Sequence, residues 1–165
     1  MPISKILDTG VTGLSIDSNG LVTHPQRPVF SVRGVATGTS LTAANTNFDY
    51  TTSWTSTDVD VGNLLNAGGY AQVPTGFGGI YQITYIICDT TTANYHSAQV
   101  YLYDGSTYTR IINQFGGNDY DKYSTGTTLF YSLNEGDILY AGWDDRFGVP
   151  DTPAEYSNFS MMFVG

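Results

Sequence analysis

The sequence predicts an all-β, antiparallel sandwich of the jelly-roll type, built from about ten strands. Three observations carry that expectation. Thirteen Tyr, eight Phe, two Trp and abundant Thr stand beside nineteen Gly, while Lys, Arg and Glu, the usual fillers of exposed helix, are scarce. From Gly79 to Asp89 the chain alternates Tyr81, Ile83, Tyr85 and Ile87 with Ile80, Gln82, Thr84, Ile86 and Cys88, so a strand here is apolar on one face and far from polar on the other. The last strand, Asn158 to Val164, repeats the pattern: Phe159, Met161 and Phe163 on one side, Ser160, Met162 and Val164 on the other. An apolar strand so close to the end of a chain belongs inside a sheet, because at an edge it would aggregate. First and last strands lying side by side is what a jelly roll gives.

The elements follow in order. In residues 1–27, Ile3, Ile6 and Leu7 form a small apolar cluster. Leu14 to Asp17 and Leu21 to His24 then flank Ser18-Asn19-Gly20, a hairpin or bulged turn. His24-Pro25-Gln26-Arg27-Pro28 is a stiff, non-helical connector. Too short to hold a core, this segment is either an extra ribbon on the main domain or an arm that docks elsewhere. From residue 28 to 165, short strands alternate with turn residues. Val29 to Arg33 is the first strand, and Gly34 to Trp54, rich in Thr, Asn and Ser, reads as irregular strand and loop. Val59 to Leu65 leads through Asn66-Ala67-Gly68-Gly69 into Tyr70 to Val73. Beyond Gly79–Asp89, Ala98 to Tyr103 and Tyr108 to Ile112 make a hairpin around Asp104-Gly105-Ser106. Gly116 to Gly126 reads as an exposed loop. Thr127 to Leu133 and Ile138 to Trp143 are joined by Asn134-Glu135-Gly136-Asp137, and Asp144 to Tyr156 is a long acidic connection. Nothing predicts a long helix, and no repeat of 20–50 residues shows.

At 165 residues one domain can bury roughly 70% of its unfolded surface without a staple. The net charge of −9 and the single spread of six basic residues disfavour nucleic acid. No stretch of about twenty apolar residues exists for insertion into a membrane. The lone Cys88 reads as a small buried hydrophobe, and the opening MPISKILDTG is not a signal peptide, so folding in a reducing cytoplasm is expected.

Four landmarks in order add a resemblance: Pro28-Val29-Phe30-Ser31-Val32, Gly79-Ile80-Tyr81, Leu133-Asn134-Glu135-Gly136-Asp137-Ile138 and Asn158-Phe159-Ser160. Residues 28–165 resemble the globular head of complement one-q, kin to tumour necrosis factor, a family of ten-stranded jelly rolls that form tight trimers. The approach Pro74-Thr75-Gly76-Phe77-Gly78-Gly79-Ile80-Tyr81 carries two residues more than the family's Pro-x-x-Gly-x-Tyr. The resemblance implies a homotrimer whose interface takes Tyr81, Ile83, Tyr85, Ile87, Leu129, Tyr131, Phe159, Met161 and Phe163. The leader, Gly13 to Thr23 followed by Pro-x-x-Pro, is similar to segments that precede such domains in structural proteins of marine tailed bacteriophages.

Chemistry is sparsely signalled. His24 and His96 read as surface residues, no nucleophile elbow occurs, and the pairs Asp119/Asp121 and Asp144/Asp145 read as loop charge rather than a glycosidase dyad, so no enzyme and no cofactor is expected. Asp144, Asp145 and Asp151, with Glu155, gather hard oxygen ligands that could hold calcium, though without EF-hand spacing. Tyr95, Tyr108, Phe115, Tyr120 and Tyr123 are candidate ligand-loop aromatics suited to stacking on sugars. Asn158-Phe159-Ser160 matches a glycosylation sequon but lies in a strand. The expectation is a virion-surface homotrimer, assembled in a host cytoplasm, that decorates or cements a phage capsid. Its arm (Ile3, Ile6, Leu7, Leu14, Ile16) would attach it to a capsid or tail protein. The alternatives are a tail-fibre tip that binds a host surface glycan and, from another class, a carbohydrate-active enzyme.

Overall fold

The computed structural model describes residues 15, 16, 22, 23, 27–44, 47–89, 96–116, 123–144 and 157–165. All regular structure among them is β. Two short strands, β1 (Ser15–Ile16) and β2 (Val22–Thr23), pair with each other across the predicted turn, Ser15 opposite Thr23, as a separate two-stranded sheet. Ile3, Ile6, Leu7 and Leu14 lie outside the described residues, and Ile16 is in β1.

The remaining strands are β3 (Val29–Ser40), β4 (Phe48–Val61), β5 (Ala71–Gln72), β6 (Gly79–Asp89), β7 (His96–Tyr103), β8 (Tyr108–Gly116), β9 (Tyr123–Leu133), β10 (Ile138–Asp144) and β11 (Asn158–Phe163). They hydrogen-bond as one nine-stranded antiparallel sheet in the order β8-β7-β10-β4-β3-β11-β6-β9, with β5 on β10. That sheet folds over on itself. One layer, the front, is β9-β6-β11-β3, and the other, the back, is β8-β7-β10-β4. The long β3–β4 ribbon turns the corner between them, its register slipping at Ser31/Val32, Val35/Thr37 and Thr37/Gly38, where extra residues bend and twist a strand. Gly34, at φ 66° beside these slips, takes a left-handed conformation that a side chain would resist. As expected of a jelly roll, β11 lies between β3 and β6.

The stretch from Gly34 to Trp54, read as partly loop, is therefore mostly strand. Its Thr and Ser sit on a two-stranded ribbon whose outer surface is solvated, where β-branched hydroxyl residues fit. The core lies between the layers. Phe30, Val32, Tyr81, Ile83, Tyr85, Ile87, Phe159 and Met161 from the front meet Ala98, Val100, Leu102, Ile112, Leu139, Ala141 and Trp143 from the back. Cys88 is buried and not disulfide-bonded, and its amide donates to Ser157 Oγ at 3.0 Å.

On the back layer Gly142 lies opposite Tyr50, so close that a Cβ there would run into the Asp49 carbonyl and Tyr50 Cα. Gly142→Ala is expected to push β10 off β4 and to lower stability by about 1–3 kcal/mol, the usual cost of overpacking. Urea denaturation checks it, and an unchanged midpoint would show that β4 gives way freely.

Candidate functional site

Cross-strand partners in a sheet share a face, so the outward surface of the front layer can be read in rows. Phe130, Gln82, Met162 and Val29 form one row, and Ser132, Ile80 and Val164 the next. Ile80 is 40% exposed, Phe130 65%, Met162 45% and Val164 38%, so four of the five large exposed hydrophobic residues among the described residues gather at one end of one face. The middle of the face is Thr84, Thr128, Ser160 and Ser31, with the two threonine hydroxyls 2.8 Å apart. Its far end carries Arg33, whose guanidinium forks onto Asp58 at 2.7 Å and holds that carboxyl below its ordinary range. Among the described residues β9 forms a ladder only with β6, and on the side of β8 its Thr125 Oγ1 donates to the Gln114 carbonyl at 3.5 Å.

The nine residues expected at a trimer interface are on the other side. Tyr81, Ile83, Tyr85, Ile87, Phe159 and Met161 are each at most 1% exposed within the single chain, and Leu129, Tyr131 and Phe163 pack half-buried against the same core. This corrects the sequence reading: the more apolar face of β6 and β11 is used by the fold itself, and the mixed face looks outward. The alternation groups the residues correctly, but it does not single out Ile80, Phe130, Met162 and Val164, because β6 and β11 carry apolar side chains on both sides.

The other expectations fare variously. Asp144 ends β10, 3% exposed, with its amide donating to Ser97 Oγ at 3.2 Å, and no cluster of metal-ligating side chains occurs among the described residues. Asp145, Asp151, Glu155, Tyr95 and Tyr120 fall outside those residues. Tyr123 starts β9, Phe115 is 51% exposed on β8, and Tyr108 is half-buried at the start of β8. Asn158 is engaged in the sheet, its Nδ2 donating to Ser31 Oγ and the Val32 carbonyl at 3.0 Å, which accords with discounting the sequon.

No family model matches the sequence, and no curated protein does. Solved structures do match the fold. Murine APRIL, solved at pH 5.0, superposes with a TM-score of 0.66 at 13% identity, over 84% of this chain and all of that one. The TNF Eiger from S. frugiperda gives 0.62 at 15% identity over 84% of this chain and 94% of the other. The globular domain of zebrafish complement 1qA gives 0.60 at 13%, over 85% and 98%. The chain has the jelly-roll fold of these structures. At such identity the likeness extends to architecture alone.

Buried tyrosines give the fold a measurable alkaline limit. Burial pushes the Tyr81 phenol up to about 12, and burial together with Tyr108, Tyr70 and Tyr50 does the same for Tyr140. Burial also raises Tyr85. A phenol with a raised folded pKa binds its proton more tightly when folded. The stability it contributes is complete below the unfolded value of about 10 and is lost as pH climbs from there through the folded value. Tyrosinate absorbance is expected to go on rising well above pH ~10, with the Tyr81 and Tyr140 phenols ionising only near 12. A single transition with the fold intact would contradict this.

Proposed function

We propose that the chain is a non-enzymatic, self-assembling homotrimer whose subunits meet through the outward face of the front layer. One observation carries the reading: Ile80, Phe130, Met162 and Val164 form a contiguous apolar end to a sheet face that the fold leaves uncovered. Patches of this kind mark association surfaces, and the resemblance noted in the sequence implies threefold closure. A stable obligate interface of this sort buries more than about 2,000 Å². Multi-angle light scattering is expected to give three times the 17.9 kDa chain mass. A monomer at micromolar concentration would remove the proposal.

The finer reading is a knob on the surface of a phage particle, decorating or cementing the capsid, with the leader as its attachment. In its support stand the leader's resemblance to phage segments and its own separate β1–β2 hairpin. Arg27, just before the domain, bonds the Val164 carbonyl through Nη1 at 2.9 Å, so a truncation that retains it keeps this clamp. Deleting residues 1–26 is expected to leave the trimer intact and to abolish its recovery with purified particles. Loss of the trimer on deletion would instead make the leader part of the knob. The tail-fibre-tip alternative uses the same trimer and differs in copy number per particle, hundreds for decoration against a handful for a fibre.

A further inference from the structure

The outward face of the back layer differs chemically from the assembly face. Where the front layer exposes aliphatic residues and Phe130, the back layer presents tyrosines. Tyr103 and Tyr108 stack with ring centres 4.6 Å apart and planes at 25°. Tyr140 on β10 meets Tyr50 edge-on at 4.9 Å, Tyr70 at 5.3 Å and Tyr108 at 6.1 Å. Register explains the grouping: Tyr103 lies opposite Tyr108 and Ile138, and Ile138 opposite Gln72, so these side chains share one face across β8, β7, β10 and β5. At about 4.8 Å per strand the surface spans roughly 15 Å. Gly142, lacking a side chain beside Tyr50, leaves Tyr50 free to lean on Tyr140.

All five tyrosines are half-buried, so each ring is fixed while part of it stays open to solvent. Five phenols give rigid apolar rings with polar rims, and the Tyr103 hydroxyl donates to the Gly105 carbonyl at 2.7 Å. Gln72, exposed at one end of the cluster, also lines a pocket of about 240 Å³ with Asn63, Thr75 and Gly136, which supplies amide and hydroxyl groups. Charge narrows the ligand. Among the described residues Arg110, opposite Tyr101, borders the cluster, and the chain's net charge of −9 repels polyanions.

We propose that this tyrosine face is a binding platform for a neutral oligosaccharide, whose C–H ring faces stack on the phenols while its hydroxyls bond the phenol rims, Gln72 and the adjoining pocket. Stacking on rings already held by their neighbours costs little side-chain entropy, which lets a shallow surface bind a glycan. The platform lies on the opposite layer from the assembly face, so binding does not depend on trimerisation.

The test is isothermal titration of the full-length protein with malto-, cello-, manno-, chito- and laminari-hexaose, with hexagalacturonate and a polyproline peptide as controls. At least one neutral hexasaccharide is expected to bind, with unchanged affinity per chain in a monomeric assembly-face variant. The double variant Tyr103→Ala/Tyr108→Ala is expected to lose at least tenfold in affinity. Tyr140→Phe, which keeps the ring and removes only a hydroxyl, is expected to lose less, and both should retain the wild-type circular dichroism. Absence of binding to every neutral hexasaccharide overturns the proposal. So does affinity unaltered in the folded double variant, stronger binding of the polyproline peptide or galacturonate, or a change of oligomeric mass in the double variant, which would make this face a subunit contact.

Discussion

Phe130→Asp combined with Met162→Asp is expected to convert the proposed trimer into a folded monomer of 17.9 kDa. Phe130 has 65% of its surface open in the single chain and Met162 45%, and both lie in one row with Gln82 between them. Sealing most of a phenylalanine from water is worth about 2–3 kcal/mol per subunit before ordering costs. An aspartate in the same position would have to be desolvated without a partner, and threefold closure would bring its copies towards one another. Because the substituted side chains point away from the core, the monomer should keep its circular dichroism and near-wild-type cooperativity of unfolding. A variant that still sediments as a trimer would locate the contact elsewhere, and one that fails to fold would show that the face supports the single chain as well.

Phe159→Ala should be among the most damaging core substitutions, lowering stability by about 3–5 kcal/mol. The ring is fully buried at the junction of the front layer and the ribbon. It packs edge-on against Phe30 at 4.9 Å and Tyr85 at 5.8 Å, and stacks on Trp54 at 5.9 Å. Trp54 is itself tied by its indole N–H to the Gly69 carbonyl at 2.9 Å, which limits how far it can collapse into the space. Urea unfolding is best measured in the monomeric background, since in a trimer apparent stability depends on protein concentration. A loss below about 1 kcal/mol would mean the cavity closes by repacking. Phe163→Ala provides the contrast. Its ring is only half-buried, near Tyr81 at 5.2 Å and Phe77 at 5.7 Å, and its removal should cost less.

The two sheet faces also divide the chemistry of the molecule. Aliphatic side chains on the front suit contact with another copy, and tyrosines on the back suit contact with a sugar, so one subunit can assemble and still display a ligand surface. The grouping of Tyr50, Tyr70, Tyr103, Tyr108 and Tyr140 was not legible in the chain, where they are spread over ninety positions and come from four different strands and a loop. The sequence marks Tyr108 as a candidate for sugar stacking beside loop aromatics such as Tyr95 and Phe115, whereas its ring neighbours in the fold, Tyr103 and Tyr140, come from other strands.

The sequence by itself determined the all-β class, the bounds of the Gly79–Asp89 strand, the turn residues that close the hairpins and the placement of the last strand inside the sheet. Each of these follows from local periodicity or from backbone conformations that particular residues favour or forbid. Only the tertiary structure decided which face of β6 and β11 turns inward. Period two states which residues point together and is silent on the direction, and with Ile80, Ile86, Met162 and Val164 on one side and Tyr81, Ile83, Tyr85 and Phe159 on the other, local hydrophobicity alone left the orientation open. Packing against the back layer broke the tie: the side with the larger unbroken apolar surface was buried between the sheets, and the other was turned to the outside.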